Sequence, residues 1–241
     1  MLGRIISAVK EAVTTIGVSD PRPKTYLAKL FHEPRYREVI GIIKAHACGI
    51  GVLLDVGCGR GALYELLSEE GIEVSLYVGC DIEITYIREL EGEKVDRVLC
   101  DAHHLPIRRS AADLVVCSEV LEHLQKPLMA FYNLLFASRQ KVLITFPDER
   151  VKNALGFRYP EHISEIRLTE LIYLANLLGY RMKLYKRLYF ALPPSIFDKI
   201  FSFSYRKLRC FSALLKIPTL LPVFRELCLI KTEVMLIERQ I

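Results

Sequence analysis

The chain reads as an α/β protein whose mostly parallel sheet carries helices on both faces. Two observations predict this. Apolar runs of strand length alternate with segments of helical periodicity through the middle of the chain. The first such junction, Val52 to Leu67, reads VLLDVGCGRGALYELL. Four mostly apolar residues run into Asp55, glycine stands at 57, 59 and 61, and apolar periodicity resumes at Leu63. This is a strand, a tight turn and a helix. Glycine admits backbone conformations closed to other residues and leaves no Cβ between chain and ligand, so the turn can press its amides against a bound molecule. A nucleotide-like ligand suits it. Gly57, Gly59 and Ala62 also satisfy the pattern G-x-G-x-x-G/A, which by itself does not name the ligand.

With 241 residues the chain can bury a sizeable core in one α/β domain with additions. It is 51% hydrophobic and 25% charged, with a mean hydropathy of +0.24. A net charge of +5 is too small to imply nucleic acid without a localised patch. Seven cysteines without a C-x-x-C pair support neither a zinc ribbon nor a disulfide framework, so a cytoplasmic protein without a metal site is expected. The first residues lack the uninterrupted apolar stretch of a signal peptide. No window approaches about 18 uncharged apolar residues, so no spanning helix is expected.

Taken in order, Leu2, Ile5, Ile6, Val9, Val13 and Ile16 predict an amphipathic helix over residues 2–16. It suits packing on its own domain, a membrane surface or a cap over substrate. Asp20, Pro21 and Pro23 break the pattern, and a second helix is predicted from Tyr36 to Ala47. Residues 1–48 form an N-terminal helical cap segment on this reading, and 49–241 the main domain. The glycine turn follows. At Asp55, Gly57, Gly59 and Gly61 it resembles the D-x-G-x-G-x-G loop of the class I S-adenosylmethionine-dependent methyltransferases. Their loop wraps a cationic methionine moiety rather than a pyrophosphate, which suits the acidic Asp55. Cys58, inside the loop, belongs to the same lining.

A second strand, Val74 to Val78, runs into Gly79-Cys80-Asp81. Asp81 lies 24 residues beyond Gly57, where a strand-end carboxylate meets a ribose diol, with Ile82 beside it. A third strand, Arg97 to Cys100, ends at Asp101. DAHHLPIRRSAADLVVCSEVLEHL is similar to the family's D-A-x-x-L-P segment followed by a strand and V-L-E-H. The resemblance implies that Asp101 accepts from the adenine amino group, that the Ala102 backbone meets the ring, and that Ser118 and Glu119 stand beside the cofactor. It further implies a seven-stranded Rossmann-like sheet, mostly parallel, closing in a C-terminal antiparallel hairpin.

A helix from Pro127 to Ala137, a strand from Lys141 to Phe146 and a helix from Glu165 to Leu178 follow. The family's glycine-rich turn before the fifth strand is replaced by Ala137-Ser138-Arg139-Gln140. Arg181 to Leu192 and Leu227 to Glu238 are the hairpin strands, parted by a helical, basic and apolar insertion at about 193–226. Between Lys199 and Lys216 it has five basic and no acidic residues, interleaved with Phe201, Phe203, Tyr205 and Phe211. That suits a lid, a peripheral membrane contact or a helical pair covering the sheet. RNA is not expected, because no stacking motif accompanies the charge.

Methyl transfer from a sulfonium needs alignment above all, with a base only where the nucleophile must lose a proton. Candidate bases are His123, in VLEHL, and His162, in PEHISEI, since histidine titrates near neutrality. Each equally suits a loop-orienting role. Cys58, Cys80, Cys100 and Cys117 fall at strand ends, either lining the pocket or filling crowded corners. The expected activity is methyl transfer to a small-molecule or lipid-like acceptor. An NAD(P)-dependent oxidoreductase shares the glycine pattern and Asp81, and a non-catalytic module that binds a partner or membrane is a third reading. Ser118-Glu119-Val120-Leu121 stands where DNA amino-methylases carry Asn/Asp-Pro-Pro-aromatic, which argues against that class.

Overall fold

The computed structural model describes residues 26–46, 49–148, 161–191 and 229–240. The helix expected over residues 2–16 and the insertion at 193–226 lie outside them. Helix α1 (Tyr26–His46) leads into β1 (Val52–Val56), α2 (Ala62–Glu69), β2 (Leu76–Asp81), α3 (Ile84–Glu89) and β3 (Val95–Leu99). Then come β4 (Ala112–Ser118), α4 (Pro127–Ala137), β5 (Ser138–Pro147), α5 (Leu168–Leu177), β6 (Tyr180–Ala191) and β7 (Leu229–Arg239).

The strands form one seven-stranded sheet in the order β3-β2-β1-β4-β5-β7-β6. The first five are parallel, and β7 runs antiparallel between β5 and β6. The order reverses between β1 and β4, and ligands of such sheets lie outside the carboxyl ends at that reversal. Register aligns those ends: Val56 opposes Cys80, Asp81 opposes Leu99, and Ser118 opposes Thr145. The turns after β1, β2, β3 and β4 therefore meet along one edge.

Each face of the sheet has its own apolar layer. On one, Phe131 and Leu134 of α4 and Leu171 of α5 pack on Val115, Val142 and Ile144. On the other, Val39, Ile40 and Ile43 of α1 and Leu63 and Leu67 of α2 pack on Leu53, Leu114 and Leu143. The strands between are apolar on both sides, as buried parallel strands are. Among the described residues no helix is long and apolar enough to cross a membrane.

Several boundaries differ from expectation, among them the starts of three elements. Helix α1 begins at Tyr26 rather than Tyr36, with Pro34 within it. Strand β5 starts at Ser138 instead of Lys141. The residues expected to turn continue the ladder, with a register shift between Ala112 and Leu114 absorbing the mismatch. Helix α5 starts at Leu168, not Glu165, with Arg167 extended at its N-cap.

Candidate active site

The glycine turn is held open by backbone geometry. Gly57, Gly59 and Gly61 have φ of 75°, 53° and 90°, all in the left-handed region. The Gly57 and Cys58 amides both donate to the Cys80 carbonyl, at 2.8 and 3.0 Å, fastening the turn to β2. A Cβ on Gly57 would stand 2.2 Å from Val120 Cγ2. Gly61 caps α2 without a side-chain hydrogen bond, so the first amides of that helix remain for an anionic group.

The carboxylates expected beside the turn are in place. Asp81 Oδ2 accepts from the Gly59 amide at 2.8 Å and Oδ1 from the Glu83 amide at 2.9 Å. Each oxygen keeps a lone pair for a hydroxyl. Ile82, beside it, is 71% exposed, an apolar ledge at the mouth. Asp101 Oδ1 accepts from the His103 amide at 2.8 Å and lies 2.7 Å from its ring Nδ1. The amide bond, with the two histidines, holds this carboxyl below its ordinary range. Ala102 opens a 3₁₀ turn, and its carbonyl accepts from Asn133 Nδ2 at 3.1 Å.

Asp55 has a different place. It is 4% exposed, and Tyr77 Oη donates to its Oδ2 at 2.5 Å. Burial pushes its carboxyl up to about 7, against the Tyr77 bond and with help from the Asp81 charge. Asp55 braces the turn from within the sheet. Cys58, Cys80 and Cys117 are likewise buried. Burial pushes the Cys58 and Cys117 thiols up, and for Cys80 its hydrogen bond with Cys100 adds to that effect. These three thiols fill corners of the fold.

Across the switch point, a second group of residues converges. Glu119 has φ 56°, a left-handed conformation unusual for a side-chain-bearing residue. Its amide donates to the Thr145 carbonyl at 3.0 Å and its Oε1 accepts from Thr145 Oγ1 at 2.9 Å. Ser118 Oγ lies 2.9 Å from the same Thr145 hydroxyl. Arg35 of α1, 6% exposed, brings Nη1 to 3.7 Å from Glu119 Oε2. These contacts over-determine a strained residue, an arrangement concentrated at functional sites.

Leu121–His123 is a 3₁₀ turn, and a distant loop is stitched to it. The Ser164 amide donates to the Glu122 carbonyl at 3.0 Å and Ser164 Oγ to the Leu124 carbonyl at 2.5 Å. His123 Nδ1 lies 2.9 Å from the Glu161 carbonyl. A carbonyl only accepts, so Nδ1 carries the proton and Nε2 keeps its lone pair. The rings of His123 and His162 meet edge to face, centroids 4.8 Å apart. Burial lowers the His123 pKa, against its bond to Glu161, and His162 lowers it further. The structure thus brings the two candidate histidines together. Sequence reasoning missed Arg35, Tyr77, Asn133, Thr145 and Ser164, whose partners here lie 22 or more residues away. Only Thr145, at a strand's carboxyl end, carried a signal.

A left-handed glycine turn, an open helix N-terminus and carboxylates at two neighbouring strand ends could hold a ligand such as S-adenosylmethionine, which carries a carboxylate, a ribose diol and an adenine. The fold is that of class I S-adenosylmethionine-dependent methyltransferases. Residues 54–135 match the family described as a methyltransferase domain, and the chain carries a domain of this superfamily. A ubiquinone biosynthesis O-methyltransferase of Photobacterium profundum is 35% identical over 94 residues, 36% of this chain and 40% of that one. A Vibrio cholerae protein of the same name is 36% identical over 80 residues, 32% of this chain and 33% of its own. The chain therefore spans two fifths or less of these relatives' length. Magnesium protoporphyrin IX methyltransferase from Synechocystis, with bound SAH, superposes with a TM-score of 0.62 at 14% identity, covering 98% of this chain and 100% of that one. A SAM-dependent methyltransferase from Archaeoglobus fulgidus gives 0.58 at 22%, covering 86% and 92%.

Proposed function

We propose that the protein transfers a methyl group from S-adenosylmethionine to a small-molecule or lipid-like acceptor through an ionisable oxygen. The observation that carries this is the placing of Asp81 and Asp101 at adjacent parallel strand ends beside the left-handed glycine turn, inside the segment matched as a methyltransferase domain. The oxygen acceptor rests on the relatives named ubiquinone biosynthesis O-methyltransferase.

When bound, the cofactor supplies a methyl group already activated by a sulfonium charge. The chain's own task is alignment. The glycine turn and the α2 N-terminus hold the amino-acid end, with Cys58 filling the turn's inner side and Asp55 bracing it. Asp81 holds the ribose with Ile82 alongside, and Asp101 and the Ala102 backbone hold the adenine. Ser118 and Glu119 border the methyl. His123 Nε2 takes the acceptor's proton, with His162 against its ring, and the lowered His123 pKa keeps that lone pair available at neutral pH. We place the protein in the cytoplasm, with peripheral membrane contact through 199–216 and residues 1–48 as a cap.

Calorimetric titration with S-adenosylhomocysteine, and separately with NAD and NADP, tests the reading. Micromolar binding of S-adenosylhomocysteine that is lost in Asp81→Ala is expected. Binding of a nicotinamide nucleotide instead would overturn it.

A further inference from the structure

The Leu121–His123 turn and the 161–164 loop assemble a group that neither segment contains alone. Glu122, His123 and His162 each offer one ligand atom, and these atoms all lie within 4.8 Å of one another. We propose that Glu122, His123 and His162 bind a divalent transition-metal ion of the zinc class, leaving coordination positions open to water or to an oxygen of the acceptor. That last clause rests on the methyl-transfer reading above and replaces its proton step: with an ion on His123 Nε2 that lone pair is no longer a base, and the ion itself would favour the acceptor's oxygen anion, the proton leaving to water.

Two imidazoles and a carboxylate are the ligand set of open, zinc-class sites. Two such ligands around one ion stand about 3.4 Å apart, from bonds of about 2.1 Å at a tetrahedral angle. Closing from 4.8 Å is within reach of small side-chain rotations. The tautomer is already set: His123 gives its Nδ1 proton to the Glu161 carbonyl, at 2.9 Å, and so presents Nε2. Ligating histidines are commonly oriented by such a carbonyl. The two Ser164 hydrogen bonds fix the loop that bears His162, so the donor set is held before an ion arrives.

Charge favours the same occupant. Glu122 is 1% exposed, so a dication beside its carboxylate would be weakly screened by water.

The test is titration of the chelator-stripped full chain with Co²⁺, followed optically, and with Zn²⁺ in competition. One equivalent of Co²⁺ with a visible d–d band, displaced by Zn²⁺, is expected. His123→Ala and His162→Ala should each weaken binding by more than about 100-fold, the upper range for loss of a mere orienting partner. S-adenosylhomocysteine affinity should stay within about twofold. No band, or undiminished binding in the double variant, overturns the site. Carbethoxylation of wild-type histidines gives a readout independent of how the variants fold: Zn²⁺ should protect His123 and His162, and unchanged modification rates overturn the proposal. Co²⁺ binding without S-adenosylhomocysteine binding would sustain the metal site while removing the methyl-transfer reading.

Discussion

The two halves of the carboxyl edge are built differently. On the β3-β2-β1 side, the turn, Asp81 and Asp101 come from consecutive strand ends within 57–101, and their partners are mostly backbone amides nearby. On the β4-β5 side, Glu119 needs Arg35 from α1 and Thr145 from β5, and His123 needs a loop 38 residues away. On the function proposed above, one half would recognise a constant ligand with local chain. The other is assembled from distant segments, each able to vary separately, as suits the half that meets the variable acceptor.

Four outcomes would break or sharpen this contrast. The largest is expected at the assembled half. His123→Ala should cut methyl transfer by about 10²–10⁴-fold, the span for loss of a positioned base, with S-adenosylhomocysteine affinity unchanged; a parallel loss of affinity would join the halves into one unit. Gly57→Ala strikes the local half through the fold. A left-handed alanine costs about 1–2 kcal/mol, and crowding Val120 adds about 1–3 kcal/mol. Urea unfolding should therefore show roughly 3 kcal/mol of lost stability. Asp81→Ala should weaken S-adenosylhomocysteine by about 100-fold, or ~2.7 kcal/mol, in calorimetry. A smaller change would mean that Asp81 serves the Gly59 and Glu83 amides alone.

The smallest effect concerns Asp55. Its folded pKa, about 7, lies above the unfolded value of about 3.9. The native state then binds the extra proton, so this group lowers stability as pH rises from about 4 to 7 and holds it flat above. Asp55→Asn should flatten that slope in denaturant titrations. An unaltered slope would mean that Asp55 stays ionised throughout.

Legibility follows the same divide. The strand, turn and helix at 52–69, the carboxylate Asp81 and the whole of α4 are readable because each is a short-range pattern: an apolar run, glycine spacing, a carboxylate at a strand end, or a proline at the first helical position; Asp101 is legible only through the family resemblance. Strand β5 begins early because Ser138 buries against β4, a choice made by the neighbouring strand and invisible along 137–140. The first turns of α1 hide behind Pro34. The approach of His162 to His123 depends on Ser164 finding carbonyls 40 residues upstream, and no spacing rule encodes that. The grouping of Glu122, His123 and His162 is hidden along the sequence for the same reason, because two distant segments supply it.

Arg35 shows what the contrast means for dissecting the molecule. A fragment beginning at residue 49 would keep every recognisable motif and match the same family. It would nonetheless lose the cation facing Glu119 and lay bare the strip of sheet that Val39, Ile40 and Ile43 cover. Such a fragment should come out of the cell sticky and reaction-poor, so the smallest autonomous enzyme is larger than the smallest recognisable one.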